Sequence, residues 1–203
     1  IEKLKNVNGP ILLIEPSDNI GGGTPGDGTD LLRQLLETDK KNILAIINDP
    51  EAAINCHKKS IGDRINLLIG AKTDSFHGDP ISINAKIEFI SDGKFELENR
   101  NSHLASMMGV HINMGLCAVI KNEKVCILLT SIKTPPMDLG QLYSQDIDPK
   151  DANFIIIKAA VSHKDAYDPI ASHSFYINSK GLCSSNLTIF PYKKIANKKI
   201  SLN

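Results

Sequence analysis

The 203-residue sequence predicts an α/β fold (α+β mixed), in which parallel βαβα edges flank an antiparallel β-hairpin middle within a single compact domain. Continuous apolar runs of strand length alternate with helical patterns over residues 11–59. Strict alternation of apolar and polar residues follows over Ile81–Phe89, which is typical of a half-solvated strand. A further apolar run, Phe154–Ala160, precedes a last helical pattern. Alternating strands and helices imply parallel strands joined by right-handed crossovers.

The first part of the chain supplies two strand–helix pairs. Ile11–Ile14 is a fully apolar run, as in a buried parallel strand, and Thr29–Thr38 is a short amphipathic helix. Asn42–Ile47 is the second apolar strand. The helix Pro50–Lys59 follows, with proline in its first turn and Asp49 or Asn48 at its start. Asp49 could also face the ligand edge of the sheet, although a plain N-cap is the favoured interpretation.

The middle of the chain predicts a strand at Arg64–Ile69 and then two hairpins. In the first hairpin, the alternating strand turns at residues 91–94 and returns as Lys94–Glu98. In the second, Gly115–Ile120 pairs with Lys124–Leu129, and residues 99–108 form a loop between the two hairpins. Strands and a helix alternate again in the last part of the sequence. We expect a strand at Phe154–Ala160, a helix at His163–His173 and a short strand at Phe175–Asn178.

Composition narrows the classes of function. The chain carries 23 basic and 23 acidic side chains, so it lacks the basic surplus by which nucleic-acid binders displace counterions. It shows no signal peptide and no apolar run long enough to span a bilayer. None of the four cysteines has C-x-x-C spacing, and Cys117 and Cys126 lie in apolar strand patterns, so we expect reduced thiols in a cytoplasmic protein.

The sequence contains no standard catalytic or metal-binding motif. Neither the H-E-x-x-H pattern of zinc peptidases nor the G-x-S-x-G nucleophile elbow occurs. We therefore expect the six histidines to be ordinary polar residues, and His163 is singled out only because it follows Lys158 closely.

The most informative stretch is Asp18–Thr29, which lies between the first strand and the first helix. Its glycines would leave backbone N–H groups uncovered and would let a ligand approach closely. It is neither a P-loop nor a dinucleotide-binding loop, and two acids beside the helix start would repel a phosphate. A cation, an amine, a carbonyl or water would suit it better. The alternative is a rigid turn in which Asp27 or Thr29 caps the helix.

Ligands of open α/β sheets bind outside the carboxyl ends of the strands, which is where this loop lies. A buried lysine in the late strand could converge there with carboxylates and orient a ligand's carbonyl or carboxylate, or serve only as a structural ion pair. The candidate residues for substrate binding or for support of the site are Asp18, Asn19, Gly21, Gly22, Gly23, Thr24, Gly26, Asp27, Thr29 and Lys158.

The string Asp-Asn-x-Gly-Gly-Gly-x-Pro-Gly-Asp-x-Thr closely resembles the opening motif of the C-terminal domain of the microcystinase C (MlrC-type) metallopeptidase family, although family members usually have proline where this chain has Ile20. Further stretches resemble the family in matching order: Asp49–Ala52, Thr134–Leu142, Asp146–Pro149, Lys158–Val161, Ala166–Ala171 and Gly181–Ser185. The resemblance covers about Gly9 to Lys194.

The resemblance implies a division of labour between two domains. The zinc ligands of these peptide hydrolases are assigned to an N-terminal domain that this chain lacks, so we expect no cofactor in this chain and zinc in the full-length protein. The C-terminal domain would pack against that metal-binding domain and complete the cleft for a peptide-like or small polar substrate. We accordingly divide the chain into a linker remnant (residues 1–8), the MlrC-type domain (9–194) and a tail (195–203).

Two departures from the family pattern favour a divergent substrate. Ile132-Lys133 stands where many members carry arginine, and Asn186 replaces a frequent aspartate. We expect the chain alone to have no catalytic activity. Two other functions stay open for it: a binding module for a small polar ligand, or a structural or dimerising domain. Self-association is therefore left open, whereas nucleic acid and membrane are not expected as partners.

Overall fold

The computed structural model describes residues 9–190 and 193. The predicted linker remnant (1–8) and tail (195–203) lie outside these residues. The described residues form ten strands: β1 (Ile11–Ile14), β2 (Ile43–Asn48), β3 (Arg64–Ile69), β4 (Ile81–Ser91), β5 (Lys94–Glu96), β6 (His111–Asn113), β7 (Cys117–Lys121), β8 (Val125–Thr130), β9 (Phe154–Ile157) and β10 (His173–Tyr176).

Eight of these strands form a single sheet in the order β10-β1-β9-β2-β8-β7-β4-β3. The five strands from β10 to β8 are parallel, and β7, β4 and β3 continue the sheet with antiparallel pairing. The predicted α/β class, with a parallel part and an antiparallel middle, is therefore confirmed. The strands β5 and β6 pair in a separate two-stranded sheet.

The helices are short: α1 (Asp30–Leu36), α2 (Pro50–His57), α3 (His103–Met108), α4 (Gly140–Tyr143) and α5 (Lys164–Tyr167). Single 3₁₀ turns occur at Pro16–Asp18, Ile20–Gly22, Pro149–Asp151, Asp168–Ile170 and Leu187–Ile189. None of the described helices is long and apolar enough to cross a membrane.

Successive residues of the central strands enter two separate cores. Ile11 and Leu13 pack with α1, α2 and the β3–β4 pair, whereas Leu12 and Ile14 pack with β5, β6, α3 and α4. Side chains alternate between the faces of a strand, so a fully apolar run is needed where both faces are covered. This requirement explains the uninterrupted apolar sequence of β1, β2 and β9.

Three local predictions are wrong. The returning strand β5 pairs with β6, not with β4, because β4 already has β3 and β7 on its two edges. The predicted loop over residues 99–108 contains helix α3, which Ser102 caps by accepting from the N–H of Ala105. The predicted helix His163–His173 is much shorter, because α5 ends at Tyr167 and His173 already begins β10. The predicted hairpin of β7 and β8 is confirmed.

Candidate functional site

The glycine-rich loop is folded around the buried carboxylate of Asp18. One carboxylate oxygen accepts from the N–H of Gly26 at 2.9 Å, and the other accepts from the N–H of Gly28 at 2.7 Å. Glycine is required at position 28, since a Cβ atom there would lie 2.8 Å from the same carboxylate. Asp18 thus fixes the second half of the loop, residues 26–28, from its buried side.

The outer half of the loop is held by Asn19 and by two tight turns. The N–H of Gly21 donates to the Asn19 side chain, that of Gly22 to the Asn19 carbonyl, and that of Gly23 to the Ile20 carbonyl. With the two bonds to Asp18, these contacts engage each glycine N–H of the string. The expectation of uncovered N–H groups is therefore wrong, because the loop uses its own donors to define its shape.

Beneath the loop lies a buried ion-pair group. The ammonium of Lys158, which is 3% exposed, contacts Glu15 and Asp18 at 2.9 Å each and donates to the carbonyl of Gly28 at 2.7 Å. Burial alone would lower the pKa of Lys158, but the carboxylates of Glu15 and Asp18 raise it. Burial would likewise raise the pKa of Asp18, yet Lys158 and the glycine N–H groups lower it below 3.8. Lys158 and Asp18 are therefore both charged.

Lys158 has three acceptors within hydrogen-bonding distance, and an ammonium has three N–H donors. The structure thus gives Lys158 a supporting position under the loop. Its predicted contact with substrate stays a prediction, as do the ligand roles of Asp18 and Asn19.

The loop between β3 and β4 completes the base of the site through His77, which is fully buried. Its Nδ1 lies 2.8 Å from the carboxylate of Asp74, and its Nε2 accepts from the N–H of Leu182 at 3.4 Å. The same Nε2 is 3.7 Å from Asp18. Because the Asp74 carboxylate can only accept, Nδ1 is the ring nitrogen that donates to it.

Asp27 attaches the same β3–β4 loop to the glycine-rich loop. One of its oxygens accepts from the N–H groups of Lys72 and Thr73, at 3.0 Å each, and its carbonyl accepts from Ala71. Thr29 donates its hydroxyl to the carbonyl of Asp79, so neither Asp27 nor Thr29 caps helix α1 with its side chain. The capping expected for these two residues is wrong, because both bind a segment distant in sequence.

Asp49 is the predicted helix cap and is also tied to the β3–β4 loop. It accepts from the N–H of Ala52 at the start of α2 and from the N–H of Gly70. Lys72 lies 3.0 Å from the second Asp49 oxygen. These contacts fix the β3–β4 loop against the carboxyl end of β2.

The exposed side of the loop borders a shallow depression of about 410 Å³. Its lining includes Gly22–Pro25, Thr73, Asp74, Lys133, Leu182 and Cys183. Gly21, Gly22 and Gly23 are exposed, whereas Gly26 and Gly28 are buried. The predicted site residues thus divide into an outer group, in which Gly22 and Gly23 line the depression and Gly21 precedes them, and an inner group that supports it.

His163 does not join this group. It is 1% exposed at the start of α5, its Nδ1 has no hydrogen-bond partner among the described residues, and burial lowers its pKa. No ion pair or hydrogen bond connects it with Lys158 in the described part of the chain.

The residues at this edge do not fit a zinc site. Within residues 9–190 and 193, no group of three or more His, Cys, Asp or Glu side chains is arranged to hold a metal ion. The carboxylates of Asp18 and Asp74 are already engaged by Lys158, His77 and backbone N–H groups. The described side chains at this edge therefore do not provide a site for a catalytic metal ion.

Three site residues were not predicted from the sequence: Glu15, Asp74 and His77. Glu15 carried a usable signal, because an acid directly after a fully apolar strand is placed at the carboxyl edge of the sheet. The other two carried none, since their positions depend on contacts such as the one from Lys72 to Asp27, which are 45 residues apart in sequence.

Comparison with known proteins agrees with this architecture. Microcystinase C from Sphingomonas sp. is 20% identical over 171 residues, which are 84% of this chain and 32% of that protein. A crystal structure of a "putative metallopeptidase" from Mesorhizobium sp. BNC1 superposes with a TM-score of 0.80 at 17% identity, covering 93% of this chain and 37% of that one. This chain thus spans about a third of the length of each relative.

The family described as MlrC C-terminus matches residues 13–194, which is nearly the whole of the described chain. The match includes the glycine-rich loop, the β3–β4 loop and the late strand that carries Lys158. The chain belongs to the MlrC C-terminal domain family.

Proposed function

We propose that this chain is the part of a zinc-dependent peptidase or amide hydrolase that completes the substrate cleft, while residues outside this chain hold the metal. The observation that carries the proposal is the outward-facing Gly21–Gly23 segment at the carboxyl edge of the parallel strands, beside an open depression. Ligands of α/β sheets bind at this edge.

The rigidity of the loop supports a positioning role. Asp18, Asp27 and Lys158 fix its inner half through buried hydrogen bonds and ion pairs. A loop held in this way presents its outer backbone in one conformation, so that binding a substrate costs little ordering entropy. No atom lies within 4 Å of the place where a Gly23 Cβ would be, so a substrate can approach the backbone closely there, whereas Sγ of Cys183 fills the corresponding space at Gly22.

Exposed apolar side chains around the depression support contact with a further part of a longer polypeptide. Ile132 and Leu182 are each 50% exposed. Leu182 lines the depression itself, and Ile132 precedes Lys133, which also lines it. Large apolar side chains grouped around a concavity mark an interaction surface. The metal-binding domain of the same polypeptide is the proposed partner.

The experiment compares this chain with a polypeptide of the relatives' full length, using a panel of short peptides and measuring bound zinc by elemental analysis. The proposal expects hydrolysis and stoichiometric zinc in the longer protein, and neither in the 203-residue chain alone. Stoichiometric zinc or peptide hydrolysis in the isolated chain would contradict the proposed division of labour.

A second candidate, a binding module without chemistry, is favoured by the fact that the depression is formed within this chain alone. Titration of the isolated chain with amino acids, dipeptides and nucleotides, followed by thermal unfolding, separates the two functions. Tight binding together with an inactive full-length protein favours the module.

The third candidate, a structural or dimerising domain, is favoured by the buried contacts of Asp18 and Asp27, which are those of supporting residues. It predicts unchanged turnover of the full-length protein when a large side chain is placed at the exposed Gly21. It also predicts that any homo-oligomer forms without changing ligand binding.

A further inference from the structure

Lys133 is held in a fixed position above the glycine-rich loop. Its ammonium donates to the carbonyl of Gly23 at 3.1 Å and to the carbonyl of Thr24 at 2.9 Å. An ammonium has three N–H donors, so these two contacts leave one donor unused. The anchored group lines the depression, where that donor is available to a ligand.

The glycine N–H groups of the loop and the ammonium of Lys158 are already occupied. The N–H groups of Gly21, Gly22 and Gly23 bind within the loop, and the three donors of Lys158 bind beneath it. Lys133 forms no ion pair with an acidic side chain among residues 9–190 and 193. Among the described residues, Lys133 is therefore a cation without an acidic partner, beside a loop whose glycine N–H groups are used.

The one acidic residue in the lining does not take that charge. Asp74 accepts from His77 Nδ1 and from the backbone N–H groups of Phe76 and His77. Burial would raise its pKa, but the His77 side chain and these N–H groups lower it, so Asp74 is ionised. A ligand at Lys133 thus lies near a fixed negative charge, which disfavours a multiply charged anion.

We propose that the depression binds a ligand through a single carboxylate, and that Lys133 is the residue that receives it. A singly charged carboxylate matches one ammonium donor, whereas the ionised Asp74 in the same lining disfavours a doubly charged phosphate. The ligand class is an acylated amino acid or a short peptide with a free carboxylate, whose apolar part can contact Leu182. The proposal deepens the proposed function by naming the substrate class, and it rests on that function only in calling this ligand a substrate.

The test uses acetyl-alanyl-alanine and its C-terminal amide, titrated into the 203-residue chain and followed by NMR shifts of Gly23 and Lys133. The free acid should bind the wild-type chain, and Lys133→Met should weaken it about tenfold or more, as expected for a charge-assisted hydrogen bond. The amide should bind more weakly than the acid and should be insensitive to the substitution.

Two further variants keep the test independent of folding. Lys133→Gln retains donors for the loop carbonyls without a charge, and it should also lose the preference for the acid. Lys58→Met removes an exposed charge directly after α2 and should bind like the wild type. A folded Met or Gln variant that still prefers the acid overturns the proposal, as does the absence of binding by the acid to the wild type. Inorganic phosphate that binds more tightly than the acid, and loses affinity in Lys133→Met, overturns the assignment to a carboxylate.

This measurement requires no catalysis. If the full-length protein hydrolyses no peptide while the free acid still binds through Lys133, the proposed function fails and the carboxylate site stands. If hydrolysis is observed but Lys133→Met leaves binding of the acid unchanged, only the carboxylate site fails.

Discussion

Replacing Asp18 with asparagine removes one charge from the buried ion-pair group and leaves the shape of the side chain nearly unchanged. The wild-type carboxylate accepts three contacts: the N–H of Gly26, the N–H of Gly28 and the ammonium of Lys158. An asparagine has one carbonyl oxygen, and its NH₂ group must face a donor at the other position. Lys158 then keeps Glu15 as its single carboxylate partner.

The expected cost follows from these lost contacts. Breaking a buried ion pair by removing one partner destabilises a protein by about 3–5 kcal/mol. For a chain of this length, each kcal/mol lowers the melting temperature by about 2–4 °C, so Asp18→Asn should lower it by about 6–20 °C. Asp92→Asn, in the exposed pair with Lys94, is the matched control and should leave the melting temperature unchanged.

The assay is urea unfolding of both variants and the wild type over a range of pH. Because the pKa of Asp18 is lower in the folded state, its ionised form stabilises the fold above pH 3.8, and this contribution is lost as the pH falls through the folded-state pKa. The difference between the wild type and Asp18→Asn should therefore be constant above pH 5 and shrink below pH 3.8. Equal stability of the two proteins at neutral pH would refute the reasoning.

Three further predictions concern other contacts of the site. Gly70→Ala should prevent stable folding, measured by circular dichroism, since its Cβ would lie 2.5 Å from Thr29, whereas Gly62→Ala, with open space around it, should cost only about 1–2 kcal/mol. Asp27→Ala should cost about 2–3 kcal/mol and increase hydrogen exchange at Thr73, because two backbone N–H groups lose their acceptor. Cys183 should react first with a thiol reagent, read by mass spectrometry, since Cys117 is buried and its pKa is raised to about 12.

Each of these predictions has a result that contradicts it. Equal losses of stability in the two glycine variants would mean that the close packing at Gly70 is unimportant. Unchanged exchange at Thr73 would show that Asp27 does not hold the β3–β4 loop. Labelling of Cys117 before Cys183 in the native protein would contradict the burial of β7.

Local sequence patterns predicted the strands well and their partners less well. The uninterrupted apolar runs of β1, β2 and β9 reflect cores on both faces of the sheet, and that information is contained in each run. The error at β5 has a different origin, because periodicity shows that a segment is extended without showing which strand it joins. Ser91 ends β4 in the large sheet, and Lys94 begins β5 in the two-stranded sheet. The turn between them therefore joins two sheets, although its sequence is typical of a hairpin.

For the candidate site too, the positions of residues along the chain could be predicted, but their contacts could not. The position of the glycine-rich loop after β1, and of Lys158 at the end of the adjacent β9, follows from the order of strands and helices. The use of the loop's N–H groups by Asp18 and Asn19 could not be predicted, because it depends on the path of the backbone through two 3₁₀ turns. The approach of His77 and Asp74 depends on the β3–β4 pair, whose loop returns to the carboxyl edge.

The central claim, that the outer face of the loop lines a substrate cleft, is tested most directly at Gly21, which directly precedes the lining residue Gly22. This glycine is exposed, and a Cβ atom there would meet only the Asn19 side chain at 3.3 Å, so Gly21→Phe should fold. The measurement is kcat/KM for peptide hydrolysis by the full-length protein, with Lys58→Phe, at an exposed position outside the lining of the depression, as the control. The account predicts a large loss of kcat/KM for Gly21→Phe with an unchanged melting temperature and no loss for the control. Wild-type kcat/KM in a folded Gly21→Phe protein would contradict it.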